Sequence, residues 1–519
     1  MTDLVTEKYL TINGKKQKWK KYLDCYLARN IYSYIFKHPR ETQDSFNDRV
    51  KRGYYFNYVQ AIVDLYVSYL FQSGISRNLG NEPGKNSVFT DFINTFYKDC
   101  DRSGTKYSAF MQDAEKMSIL CGHVGILVNM PKGPDGGFLN EAERKEADHR
   151  PYLTLVQAAQ IIDWELDDEE NFEWVKIEVG RPQQRDWKTT VDTTVRYFEI
   201  WTKDTWELWE LKKDEAKRLD FGEHNLGVVP LVVCRNDRNL EHPWFGESAV
   251  RDICDINIAI LNWSSFADEE VANRCLNILV MERAANDAPI TISMYNVLEF
   301  EPGAAEPAYL VPGETPLKLI GEQIDRARDE IYRLAKLGGS TGLLGVREAT
   351  SGIAYAFEFN ETNQSLCGKA EYLEQAELDI HRILAAWLDE EFTGNITYPR
   401  EFGVVDFLAE LQFLTEARIS FSSKKAIQTV EDRVVDKLFA KEEQSLRDEI
   451  KQEIRSAPVG KRSSIFGPVG KSTPLANPNV KPISDNLPKN GEPSPDNLPP
   501  KNGNKEKSGI DGKKVTTTV

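Results

Sequence analysis

The sequence predicts an α+β protein, mixed in its first half and mainly helical in its second, followed by a tail of different character. Three observations carry this. Between residues 247 and 454 apolar residues recur at three- and four-residue steps, the period of a helix with one buried face. Between 124 and 234 short runs rich in Trp, Tyr, Val and Thr alternate with turn-prone residues, the pattern of strands. From 457 to 519 the chain holds 10 of its 24 prolines and almost no periodic apolar residues. With 519 residues, 40% hydrophobic and 10% aromatic, the chain exceeds one hydrophobic core, so two to four structural units are expected.

Taken in order, residues 45–71 read as a helix through Tyr55, Val59, Ile62, Val63, Tyr66 and Leu70. Residues 107–121 form a second helix running into a strand at 124–129. Strands follow at 152–156 and around Ile161, Ile162 and Trp164. Residues 172–180, 191–202 and 205–211 then make a meander, and 228–234 a short apolar strand. A helix over 247–273 carries Ile253, Ile256, Ile260, Ala267 and Val271 on one face. Short strands with Pro and Gly turns lie between 276 and 317. A helix over 320–337 follows, through Ile320, Ile324, Ala327, Ile331 and Leu334. Residues 338–350 are a glycine-bearing loop, and Ser351 is the expected N-cap of a long helix to about 391. Residues 402–421 hold sheet or mixed structure, and 429–454 a last charged helical region. The tail repeats DNLPKNG as DNLPPKNG, carries ten basic against five acidic residues, and is predicted disordered because it lacks the apolar surface to offset its ordering entropy.

Charge and motifs narrow the function. The net charge of −16 argues against a nuclease, helicase or repressor, which grip phosphates through basic patches, but is compatible with a conduit that DNA slides past. The seven cysteines are scattered singly, so free buried thiols are expected rather than a disulfide framework or a zinc site. The six histidines show no HxH or HExxH spacing. GPVGKS at 467–472 is not a phosphate loop, because Ile465 stands where the required glycine belongs. The acidic run 167–170 reads as a solvated turn. No GxSxG or GxGxxG occurs, so neither a catalytic residue, a metal nor a cofactor is expected, and the chain is read as not an enzyme. The first 21 residues lack the apolar run of a signal peptide, and no stretch approaches the ~18–20 apolar residues of a membrane span. A cytosolic, soluble protein is expected.

Several segments, in their order, carry a resemblance: HPRETQDSFNDR at 38–49 with YYFNY at 54–58, GHVGILVN at 122–129, RPYL at 150–153, IIDW at 161–164 and TSGIA at 350–354. Over roughly residues 35–455 the chain resembles the portal proteins, or head-to-tail connectors, of tailed bacteriophages. The resemblance implies a ring, expected to be a dodecamer, at one capsid vertex of the virion, assembled in the host cytoplasm. Double-stranded DNA would pass through it without sequence specificity during packaging and ejection. The terminase large subunit, the major capsid or scaffolding protein and head-completion proteins would dock on it, and no membrane is involved. It further implies an N-terminal part and α/β wing over 1–245, stem helices over 246–274 and 318–337, and a β-rich clip over 275–317. A tunnel loop over 338–350, a long helix with the remaining wing over 351–421, a helical crown over 422–455 and a disordered tail over 456–519 complete it.

Physical chemistry supports the assignment. Two short stem helices cannot bury their apolar faces alone, so neighbouring subunits must supply the rest. Gly338, Gly339, Gly342 and Gly345 give the loop backbone freedom, and Lys336 and Arg347 flank it within reach of phosphates. Asp252 and Asp255 on the first stem helix, and Asp325 and Asp329 on the second, are the expected tunnel lining, repelling DNA so that it stays mobile. The competing readings are another virion or adaptor protein, or an ATPase or nuclease of the packaging machinery; the latter would need a phosphate loop or an acidic catalytic cluster.

Overall fold

Among the described residues, helices lie toward both ends and strands in the middle. The computed structural model describes residues 7–72, 74–80, 88–134, 141–180, 195–212, 215–240, 244–275, 278–280, 308–310, 315–337, 352–402, 414, 416–418, 423–439 and 444–456. These make an α+β protein in which one hydrophobic core runs from Trp19 to Phe402.

The centre of that core is a hand-over from helix to sheet. Helix α5 (Tyr107–Cys121; α1 to α4 are given below) buries Tyr107, Phe110, Met111, Ala114, Ile119 and Leu120, and ends at Gly122, whose φ of 91° lies in the left-handed region that a glycine C-cap tolerates. Strand β2 (His123–Asn129) follows at once and is buried on both faces from His123 to Val128. It is the middle strand of an antiparallel sheet, flanked by β3 (Tyr152–Gln157) and β9 (Leu231–Arg235). Gly122 is required for space as well as for φ. A Cβ there would sit 2.3 Å from the carbonyl oxygen of Gly246, so the two backbones touch where the chain leaves β9 for the next helix. Between β3 and β9 runs a five-stranded antiparallel meander, β4 (Ile161–Leu166), β5 (Phe172–Val179), β6 (Val195–Thr202), β7 (Thr205–Lys212) and β8 (Glu215–Glu223). The acidic run 167–170 is the turn between β4 and β5. Asp167 accepts hydrogen bonds from the backbone N–H groups of Glu169 (3.0 Å) and Asn171 (2.9 Å), and its other oxygen from Lys203 (3.0 Å).

The N-terminal helices wrap this centre: α1 (Glu7–Tyr26), α2 (Gln43–Arg52), α3 (Tyr58–Gln72) and α4 (Val88–Phe96), with a 3-10 turn at Ile31–Tyr34. A small helix α6 (Glu141–Glu146) precedes β3. Past the sheets come α7 (Arg251–Cys275), β10 (Ile278–Val280), β11 (Ala308–Leu310), α8 (Thr315–Leu334) and α9 (Gly352–Ala386). Helix α9 buries Leu366, Ala370, Leu373, Glu377, Ile380, His381 and Leu384, again at three- and four-residue steps. Glu377 is fully buried and accepts two hydrogen bonds from Arg77 (2.7 and 2.8 Å) on β1 (Ser76–Asn78) and one from the Tyr398 hydroxyl (2.5 Å). Burial pushes its pKa up, but the charge and hydrogen bonds of Arg77, with Tyr398, prevail and hold it below the usual carboxylate range. Strand β12 (Asn395–Thr397) pairs with β1, so residues far apart in sequence close this side of the body. Helices α10 (Lys424–Leu438) and α11 (Gln444–Ser456) end the described chain.

Several expectations need correction. The predicted helix over 45–71 is two helices separated at 53–57, because Asn57 caps α3 (its side chain accepts from Gln60 N–H, 2.9 Å) and Tyr55 turns inward to bond Cys25 and Asn257; the apolar period simply continues across the break. Helix α1 and strand β8 were not anticipated, since charges dominate both segments. The last charged helical region, expected over 429–454, holds two helices and begins earlier, at Lys424. The first stem helix starts four residues later than 247, the second starts at Thr315, and α9 stops at Ala386 rather than 391. Of residues 402–421 most lie outside the described residues. So do Ser351, the loop residues Gly338, Gly339, Gly342, Gly345 and Arg347, and the whole of 457–519.

Candidate functional site

The helix pair α7–α8 is the feature most unlike the rest of the molecule. The strands that follow α7 and precede α8 pair antiparallel, Ile278 opposite Leu310 and Val280 opposite Ala308, so the chain goes out along α7 and returns along α8. At 1.5 Å per residue the two helices are about 37 and 30 Å long.

The first half of α7 belongs to the body. Ile253, Cys254, Ile258, Ile260 and Leu261 are buried, and Asn257 and Asn262 tie it to neighbouring loops. Asn257 donates to the Phe56 carbonyl (2.8 Å) and accepts from the Tyr55 hydroxyl (3.0 Å); Asn262 accepts from Phe36 N–H (2.8 Å) and donates to the Tyr34 carbonyl (3.1 Å). From Phe266 onward no described residue of α7 is buried. Helix α8 buries only Ala327 and Ile331; Leu317, Ile320 and Ile324, which continue the same stripe, stay half-exposed. Its C-terminal end is anchored, because the Tyr66 hydroxyl donates to the Ala335 carbonyl and the Thr362 hydroxyl to that of Lys336.

The acidic faces are more divided than the sequence implied. Asp325 and Asp329 are exposed on α8 and share Arg328 as an ion-pair partner, at 2.9 and 3.4 Å. Asp252 pairs with Arg251 (3.3 Å) in the first turn of α7, where a carboxylate also suits the helix dipole. Asp255 pairs at 2.5 Å with Lys21 of α1, so its charge is partly matched by a residue the sequence did not single out. Further along α7, Glu269 pairs with Arg52 of α2 (3.2 Å), while Asp268 turns inward and burial raises its pKa despite Arg52 nearby. The structure thus places Asp325 and Asp329 together, and Asp252 and Asp255 together one helical turn apart on the other helix.

Two buried groups elsewhere were candidates for chemistry. Glu115 of α5 is wholly buried, with its pKa pushed up to about 8 by desolvation against the pull of Lys369 of α9. Lys369 donates to the Asn236 side chain. His123 sits among Trp19, Trp244 and Phe245, its ring centroid 5.2–5.5 Å from each, and burial lowers its pKa to about 3. Both lie inside the packed body, where neither meets an open cleft among the described residues. No group of three or more His, Cys, Asp or Glu among the described residues is arranged to hold a metal ion. No helix among them is long and apolar enough to cross a membrane.

What sequence reading missed is a set of solvent-facing aromatics beside α7. Phe36 is 70% exposed, and Tyr32, Tyr54 and Phe56 are exposed as well. The available signal was their density in the 32–58 stretch, with no apolar period to bury them all on one helix face.

No family model matches the sequence, and no curated protein does. Among solved structures the chain is similar to the neck of an empty gene transfer agent particle computed with C6 symmetry, at a TM-score of 0.44 and 9% identity over 75% of this chain and 94% of that one. It is similar also to the virion of a native gene transfer agent particle, at a TM-score of 0.42 and 10% identity over 76% of this chain and 96% of that one. The neck of the native particle computed with C12 symmetry gives a TM-score of 0.42 and 9% identity, over 72% of this chain and 89% of that one.

Proposed function

We propose that the protein is a portal: a ring-forming structural component of a phage-like particle, and a passive conduit for double-stranded DNA rather than an enzyme. The observation that carries this reading is the antiparallel pair α7–α8. It is built on a packed α/β body, joined at its far end by a short strand pair, and has an apolar stripe on α8 that the chain's own described residues leave half-covered. Such a pair needs partners of its own kind to complete its packing, and side-by-side repetition around an axis supplies them while leaving a central hole. Charge supports the rest of the reading. A net −16 chain with exposed carboxylates on both helices presents DNA with a surface that does not bind its phosphates. Terminase, capsid or scaffolding and head-completion proteins are the partners this role requires.

Native mass spectrometry and negative-stain imaging of the purified protein test the proposal. Closed rings of defined copy number with a central hole are expected, and monomer or dimer alone across a range of protein and salt concentrations refutes it.

A further inference from the structure

We propose that the groove beside the 3-10 turn and α2 is the socket for the outer face of α8 of the next copy of this chain. This deepens the ring reading above and rests on it.

The groove is open, about 510 Å³, and lined by Tyr32, Ile35, Phe46, Val50 and Lys51. Phe36 stands next to Ile35 in the chain, with its ring 70% exposed. Its exposure is not slack in a loop. The Phe36 N–H is held by Asn262 of α7 (2.8 Å), and its carbonyl accepts from Arg49 of α2 (2.7 Å). Arg49 is itself fully buried and locked by Glu41 (2.8 and 2.9 Å) and the Ser265 hydroxyl (2.7 Å). An apolar ring fixed at both backbone ends and aimed at water loses little further freedom on being covered, which is how interface anchors gain affinity.

A ring requires two different, complementary patches on each copy, one per flank. Helix α7 has two such flanks. Residues Asn262, Ser265, Phe266 and Glu269 face α2 and the 3-10 turn. The stripe Ile256, Ile260, Trp263 and Ala267 lies roughly 150° away around the helix and is left for α8, which packs along α7. The groove is therefore on one side of the pair and the outer face of α8 on the other.

The two patches also stand at one level. Tyr332 of α8 touches Tyr58 (6.4 Å between ring centroids), close to Phe56, whose carbonyl Asn257 holds. Because the helices are antiparallel and rise equally, moving equally far back along α8 and on along α7 brings Leu319 roughly level with Glu270, beside the α2 groove. Leu319 is 54% exposed, the one large apolar side chain of α8 so placed among the described residues. It is followed on the exposed surface by Glu322. Charge completes the match. Of the basic residues at 36–52, Arg49 is held by Glu41 and Arg52 by Glu269, while Lys37 and Arg40 are exposed and Lys51, 3.1 Å from Asp48, lines the groove.

The full-length protein, with rings of the unaltered chain as reference, decides the matter. Phe36→Asp and Leu319→Asp replace exposed groups, so the fold, read by circular dichroism and melting temperature, should be unchanged. Each should raise the protein concentration for half-assembly by about tenfold or more. Lys51→Glu and Glu322→Lys should each weaken assembly, and the doubly swapped chain should regain it. Rings that form normally with both aspartate variants would overturn the socket while leaving the ring reading intact. A double swap no better than either single change would overturn the pairing of groove with α8. An unaltered chain that never assembles removes the ring reading first, and the socket with it.

Discussion

The buried half of the α7–α8 pair and its outer half are made of the same kind of residue, yet only one is finished within a single chain. Around Ile253, Leu261, Ile331 and Leu337 every apolar side chain meets another, and the polar groups among them, Asn257 and Asn262, have partners on both amide atoms. Around Val271, Ile320 and Ile324 the same helical stripes continue into solvent. The sequence of an amphipathic helix specifies which face is apolar but not what covers it. Where the body covers it, stability is internal. Where it does not, the uncovered length measures what a partner must supply.

The comparison can be broken most sharply from the buried side. Glu377→Gln leaves Arg77 as an uncompensated buried charge and weakens the Tyr398 bond, so a loss of about 3–5 kcal/mol is expected in urea unfolding, independent of protein concentration. A pair of truncations on α8 sharpens it. Ile331→Ala should cost about 2–5 kcal/mol in the isolated chain, because Ile331 is fully buried. Ile324→Ala, half-exposed, should cost under about 1.5 kcal/mol there, by the area it buries, and show its larger effect in assembly. Equal costs for the two would mean that the outer stripe is already complete in the monomer.

Acid probes the body in another way. Burial lowers the pKa of His123 from 6.5 to about 3, so the folded chain holds this ring neutral while the unfolded chain protonates it. The contribution is present above pH 6.5 and is lost as pH falls toward 3. It amounts to about 2 kcal/mol between pH 6.5 and 5, at about 1.4 kcal/mol per tenfold difference in proton affinity. Chemical denaturation of the unaltered chain and of His123→Phe over that range should show the slope in the first and its reduction in the second. The smallest stability change belongs to the surface. Replacing Asp325 and Asp329 with lysine should alter folding by no more than about 0.5 kcal/mol. In a ring that passes DNA, however, it creates a collar of like-signed charge that holds the duplex, weakening as salt rises. Unchanged packaging by intact rings would remove these two residues from the channel lining.

Much of this is legible in the sequence. The helices α5, α7, α8 and α9 and the strands β2 to β7 follow from apolar periods of 3.6 and 2 and from short apolar runs, most of them burying one face; β2 and the start of β4 are buried on both, and β7 is half-exposed throughout. The turn at Asp167 and the free cysteines could be read the same way. Local pattern failed at the breaks. Nothing in the period across 45–71 marks the gap at 53–57, which exists because Tyr55 reaches Cys25 and Asn257, about 30 and 200 residues away. Helix α1 escaped because its lysines hide the apolar residues Trp19, Tyr22 and Cys25, which are buried.

The sequence by itself determined the class of fold, the amphipathic helices and the net negative charge, since these depend on residue type and spacing alone. Tertiary structure decided which carboxylates are matched, as Asp255 is by Lys21 and Glu269 by Arg52. It also decided that Arg49 and Glu377 would be buried yet partnered, and that Phe36 would be fixed facing water. Those outcomes depend on groups brought together from distant parts of the chain. Burial and pairing are properties of that meeting, which no window of neighbouring residues contains.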